Sequence, residues 1–95
     1  MSEALFKFRL YIAGDGPYSA QAIHNLDAIC REHLPGQHEI ELVDVLLNQA
    51  RALADGVMLT PLLVKLSPQP VRRIVGTLEN IPAFLLSMGL HKPAA

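Results

Sequence analysis

The sequence predicts an α/β fold of order βαβαββα, a four-stranded sheet of mixed parallel and antiparallel strands with helices on both faces. Three observations carry this. Apolar residues alternate over residues 5–13, a strand–helix–strand unit fills the first half, and two apolar runs joined by a short proline-bracketed link fill the second. Ninety-five residues provide chain for one domain, 1–95, in which 91–95 is expected to be a short flexible tail.

The first strand places Phe6, Phe8, Leu10 and Ile12 on one face and Lys7, Arg9 and Tyr11 on the other. It ends at Gly14-Asp15-Gly16-Pro17, where glycine permits a sharp turn and proline suits the first turn of a helix. In that helix Ala22, Ile23, Leu26, Ile29 and Cys30 recur with a 3.6-residue period, and Pro35-Gly36 supplies the stop. His38 to Val45 reads as a second strand, with Ile40, Leu42 and Asp44 opposite Glu39, Glu41 and Val43, and a right-handed crossover makes it parallel to the first. Asn48 is expected to cap a short helix through Asp55 with its side-chain oxygen, and Gly56 to close it. The run Pro61 to Leu66 is a largely buried strand with its proline at the start. After Ser67-Pro68-Gln69-Pro70, Val71 to Val75 returns antiparallel and ends at Gly76. Asn80 and Pro82 start a last helix in which Ile81, Phe84, Leu85 and Met88 share a face, and Gly89 ends it. This order of elements is thioredoxin-like.

Composition narrows the function. With 51% hydrophobic and 18% charged residues the chain can offset its ordering entropy and fold. Eight basic against nine acidic side chains lack the cationic excess that strong nucleic-acid binding draws on. Residues 1–48 hold three basic and seven acidic side chains, residues 49–95 five and two, a polarity suited to a charged protein partner. The acidic N-terminal start does not read as a signal peptide, and no apolar run approaches the ~20 residues of a membrane span, so a cytoplasmic protein without membrane contact is expected.

The single cysteine, Cys30, excludes an intramolecular disulfide and a multi-cysteine metal site within one chain. Thioredoxin-type redox chemistry needs a low-pKa thiolate where the first helix begins, and that place holds Asp15-Gly16-Pro17-Tyr18, so Cys30 is expected to be a packed, inert thiol. His24, His33, His38 and His91 form no ligand pair at helical spacing, Ser19 and Ser67 have no base at a legible spacing, and Gly14-Asp15-Gly16 is a turn before it is a phosphate loop. No cofactor, metal or catalytic residue is expected. Arg72 and Arg73, adjacent in a strand, must point to opposite faces, which suits edge protection and carboxylate docking equally. Pro61, Pro68 and Pro70 cluster within eleven residues; turn stiffening by one locked isomer is the simpler account, slow alternative conformers the other.

Leu10-Tyr11-Ile12-Ala13-Gly14-Asp15-Gly16-Pro17, Val43-Asp44-Val45-Leu46 with Asn48, Thr60-Pro61, Lys65, and Pro70-Val71-Arg72-Arg73-Ile74-Val75-Gly76 together resemble the KaiB circadian clock family over roughly residues 6–80. The resemblance implies a non-enzymatic regulator that docks on the ring of a KaiC-type ATPase. It also implies two folds: a tetrameric ground state, and a monomeric thioredoxin-like state that binds the ring and can displace a sensor histidine kinase with a similar domain. Residues beyond about Asp44 rearrange between them, and the Pro61–Pro70 stretch differs in its proline isomers. Family positions that bind the ATPase fall on Lys65 and Arg73, with Arg72 beside them, while a third basic position is Gln21 here. Glu39 and Glu41 replace the small and basic residues that the family uses toward KaiA, which argues against KaiA as a partner. The chain stops soon after its third helix, without a long acidic extension, which favours the thioredoxin-like state over the ground-state fold. The expectation is therefore a KaiB-like regulator of a circadian or stress-response timing system, switching fold and forming a dimer or tetramer in its other state. A static thioredoxin-like adaptor for a sensor histidine kinase, or a redox enzyme on the same scaffold, are the alternatives.

Overall fold

The computed structural model describes residues 5–89, so the expected tail at 91–95 lies outside the described residues. Seven elements follow in the order β1 (Phe6–Ile12), α1 (Pro17–His33), β2 (His38–Asp44), α2 (Gln49–Ala54), β3 (Leu62–Ser67), β4 (Arg72–Val75) and α3 (Ile81–Ser87). The strands form one sheet of order β2-β1-β3-β4, with β1 and β2 parallel and the β1–β3 and β3–β4 pairs antiparallel. This is the thioredoxin-like arrangement expected, with β2 and β4 as its two edges.

Side-chain alternation sorts the apolar residues into two cores. Phe8, Leu10, Ile12 and Leu63 face α1 and α3, where Ala22, Leu26, Ile29, Cys30, Phe84 and Met88 close a buried cluster. Tyr11, Val43, Leu62 and Val64 form the smaller cluster on the α2 side. Each large side chain so buried contributes ~1.5–3 kcal/mol from apolar area, and the first cluster holds most of them. Ile23 departs from the expected buried face of α1. It is 38% exposed beside Ile40 and Leu42, because nothing among the described residues lies outside β2 to cover it.

Local chemistry sets the joints. The Pro17 start of α1 has no side-chain cap, and Ala20 N–H closes the first turn on the Gly16 carbonyl at 3.0 Å. The Asp44 carboxylate accepts from both Gly14 N–H (3.1 Å) and Leu46 N–H (2.9 Å), tying the β1–α1 turn to the exit of β2. Gly14 has φ +70°, a left-handed conformation that a Cβ would strain. Asn48 does not cap α2 with its oxygen as expected. Its Nδ2 instead donates to the Asp44 carbonyl at 2.9 Å, holding the loop before the helix. Asn80 does cap α3, accepting from Ala83 N–H at 3.2 Å.

Candidate docking surface

The β3–β4 hairpin presents the arginine pair at a sheet edge. Arg72 pairs with Lys65 across the hairpin and Arg73 with Val64, and adjacent strand residues alternate in face. Arg72 therefore lies on the α1–α3 side with Lys65, and Arg73 on the α2 side. Both guanidinium residues are exposed, and neither makes an ion pair with a carboxylate among the described residues. The Arg73 Nη2 atom donates only to the Asp55 main-chain carbonyl, at 3.5 Å.

On the α2 side Arg73 borders an apolar surface. Arg73, Val75, Leu62, Met58 and Leu59 line a shallow depression of about 230 Å³. Met58 is shared with a second depression of about 400 Å³ that includes Leu46 and Leu53. Met58 and Leu53 are 89% and 83% exposed, and Leu47 is 81% exposed, which no core requirement explains. Contiguous exposed apolar side chains beside an exposed arginine that has no carboxylate partner among the described residues make this face a candidate docking surface.

Beneath this surface a polar network fixes α2 to the sheet. Tyr11 donates its hydroxyl to Asp55 Oδ2 at 2.7 Å, and Arg9 Nε donates to Glu41 Oε1 at 2.8 Å. Arg51 spans both acids, 2.9 Å from Glu41 Oε2 and 3.7 Å from Asp55 Oδ2. The two guanidinium groups hold the Glu41 carboxyl below its ordinary range through hydrogen bonds from Arg9 and then Arg51. Burial, and then the bond to Asp55, raise the Tyr11 phenol. Sequence pattern alone does not single out this network. Its legible signals are the Arg51/Asp55 spacing of four on a helix and the parallel register that sets Arg9 opposite Glu41.

Lys65 lies elsewhere. Only 3% exposed on the α1–α3 side of β3, its ammonium sits 5.7 Å from the centroid of the Phe6 ring. Burial, then the neighbouring charge of Arg72, lower its pKa. The structure thus groups Lys65 with Arg72 and sets Arg73 on the other face. Pro61 enters β3 buried, its carbonyl accepting from Gly76 N–H at 2.9 Å, and Pro68 and Pro70 lie in the hairpin link. All three prolines follow cis peptide bonds. Cys30 is fully buried, and desolvation, with a smaller contribution from Asp27, pushes its thiol up to about 12. A thiol so disfavoured as thiolate is a poor nucleophile.

Comparison with known proteins bears on this geometry. Residues 9–88 match the family model described as the KaiB domain. The chain is 42% identical over 82 residues to "Circadian clock protein KaiB3" of Synechocystis sp., covering 86% of this chain and 80% of that protein. Among solved structures, the N-terminal domain of Synechococcus elongatus SasA superposes with a TM-score of 0.73 at 12% identity, over 100% of this chain and 93% of that one. Chloroplastic thioredoxin z gives a TM-score of 0.73 at 16% identity, over 90% and 78%. At such identities these two likenesses speak to the fold alone.

Proposed function

The chain belongs to the KaiB family, and from that premise we propose that it is a non-enzymatic clock regulator that docks on the ring of a KaiC-type ATPase. The observation that carries the docking mode is the exposed apolar surface of Leu53, Met58, Leu59 and Val75 beside Arg73, which has no carboxylate partner among the described residues. Arg73 meets a carboxylate of the partner there, a charge-assisted contact of the bidentate kind. Arg72 extends the cationic edge on the other face, and Lys65, from beneath Arg72, adds to its positive potential rather than reaching out.

Fold switching of the chain beyond Asp44 belongs to the same proposal. It is supported by the family and by how much apolar side chain that half leaves exposed, including Leu46, Leu47, Leu53, Met58 and Leu59. A second reading, a constitutively thioredoxin-like adaptor for a sensor histidine kinase, is compatible with the fold that the chain shares with the SasA domain. Two exchanging sets of amide resonances in the purified chain mark the switching protein, and one set the static adaptor.

Calorimetric titration of the host's KaiC-type ATPase with this chain and with Arg73→Ala tests the docking role. Loss of a charge-assisted contact of ~1.5–3 kcal/mol weakens binding by at least about tenfold, while the exposed position leaves folding intact. Equal affinities for the two chains would remove Arg73 from the interface.

A further inference from the structure

Helix α2 has little to keep it on the sheet. Its six residues are too few for a helix that stands alone in water, and only Ala52 among them is buried. Leu53, on the same helix, is exposed. Yet the docking surface depends on this helix. Leu53 belongs to it, and the Val57 N–H bond to the Ala52 carbonyl, at 3.0 Å, ties the chain just before Met58 to it.

What α2 lacks in burial it gains in charge, because the polar network closes into a ring. Glu41 Oε1 accepts from Arg9 Nε at 2.8 Å, and Arg9 Nη1 donates to the Tyr11 hydroxyl at 3.5 Å. That hydroxyl donates to Asp55 Oδ2, and Arg51 runs from Asp55 back to Glu41 Oε2 at 2.9 Å. Single exposed ion pairs contribute little, but a closed ring of alternating cations and anions holds each member in one geometry. Arg9, Tyr11 and Glu41 stand on the sheet, Arg51 in the helix and Asp55 at its C-terminal cap, so the ring joins the two.

Glu41 is the member that stands apart from the docking surface. It lies on β2, with β1 and β3 between its strand and the β4 strand of Arg73, and it lines neither apolar depression. Both of its carboxylate oxygens are taken within the chain. Glu39, two residues earlier on the same face, makes no ion pair among the described residues, so the inward commitment is particular to Glu41.

We propose that Glu41 is a positioning residue for docking: through Arg51 it keeps α2 on the sheet, and so keeps Leu53 and Met58 where the ATPase meets them. This role rests on the docking reading given above. Removing an acid that touches no partner then weakens binding, because only the fraction of chains with α2 in place is competent.

Glu41→Gln tests this in two ways. In the chain alone, amide exchange at Ala52, Asp55 and Val57 should quicken about fivefold, while the core amides of Leu10 and Leu63 keep wild-type rates. In calorimetric titration of the host's KaiC-type ATPase, Glu41→Gln should weaken binding at least about twofold. Made beside Arg51→Met, the same substitution should lose most of that effect, since the two residues act through one contact. Wild-type exchange at α2 overturns the proposal whatever the ATPase does, and so does faster exchange throughout the domain, which marks a general structural role. Faster exchange with wild-type affinity also overturns it, as does an affinity loss undiminished beside Arg51→Met, which puts Glu41 in the interface itself. Wild-type affinity in Arg73→Ala is instead a failure of the docking reading, and the exchange arm still decides whether Glu41 holds α2.

Discussion

Replacing Tyr11 by phenylalanine removes one oxygen and leaves the ring packed against Val43, Leu62 and Val64. What is lost is the 2.7 Å hydrogen bond to Asp55 Oδ2 and a longer one, 3.5 Å, that the hydroxyl accepts from Arg9 Nη1. A hydrogen bond to a charged acceptor contributes ~1.5–3 kcal/mol net. The Asp55 side chain is 31% exposed and keeps Arg51 at 3.7 Å and Arg9 at 4.0 Å, so water and the two guanidinium groups recover part of the loss. The low end applies, ~1.5 kcal/mol, which for a domain of this size lowers Tm by about 6–12 °C. Calorimetry of the wild type, Tyr11→Phe, Asp55→Ala and the double variant should give a coupling energy of ~1 kcal/mol or more. Hydrogen exchange should show the amides of α2 losing protection first, since this network and the single buried side chain of Ala52 hold that helix to the sheet. A Tm change under about 2 °C with a coupling near zero would show that α2 is held by something else.

Other consequences are as direct. Phe84→Ala empties a site in the larger core beside Phe8 and should cost ~3–5 kcal/mol in urea unfolding; a cost under about 1 kcal/mol would mean that α3 is not docked as described. Glu41 has a folded pKa below its unfolded value near ~4.3, so its contribution is present above that pH and disappears as pH falls through the lower folded value. Stability of the wild type should therefore fall more steeply than that of Glu41→Gln on acidification below about pH 4, and parallel curves would refute the role of the arginine pair. Cys30, pushed up to about 12, should be alkylated at pH 8 at least about a hundredfold more slowly in the native chain than in denaturant, and similar rates would contradict its burial.

Much of the fold was legible because local signals agreed with the tertiary outcome. The period-2 run of β1, the Pro17 start and Gly36 stop of α1, and the proline-bracketed hairpin each pointed to one element, and the elements follow in the expected order. Asn48 shows where local reasoning stopped: an asparagine before a helix can cap it, but the Asp44 carbonyl one turn back offered Nδ2 a competing partner. Ile23 had the periodicity of a core residue, yet whether a helical apolar face is covered depends on which strand forms the sheet edge, a tertiary fact. At the candidate surface, the opposed faces of Arg72 and Arg73 followed from strand geometry alone. The burial of Lys65 did not, since it depends on Phe6 lying over its ammonium from a strand some sixty residues earlier in the chain. The network around Asp55 joins β1, β2 and α2, and it becomes visible only when the parallel register is known.

Isotope-labelled chain titrated with the host's KaiC-type ATPase, followed by amide resonances, tests the central claim most directly. Docking through the α2 side and the β4 edge predicts early loss of signal at residues 53–59 and 72–75, with Arg73→Ala suppressing it. A footprint confined to α1 and β2, or an unchanged spectrum at saturating ATPase, would contradict the claim.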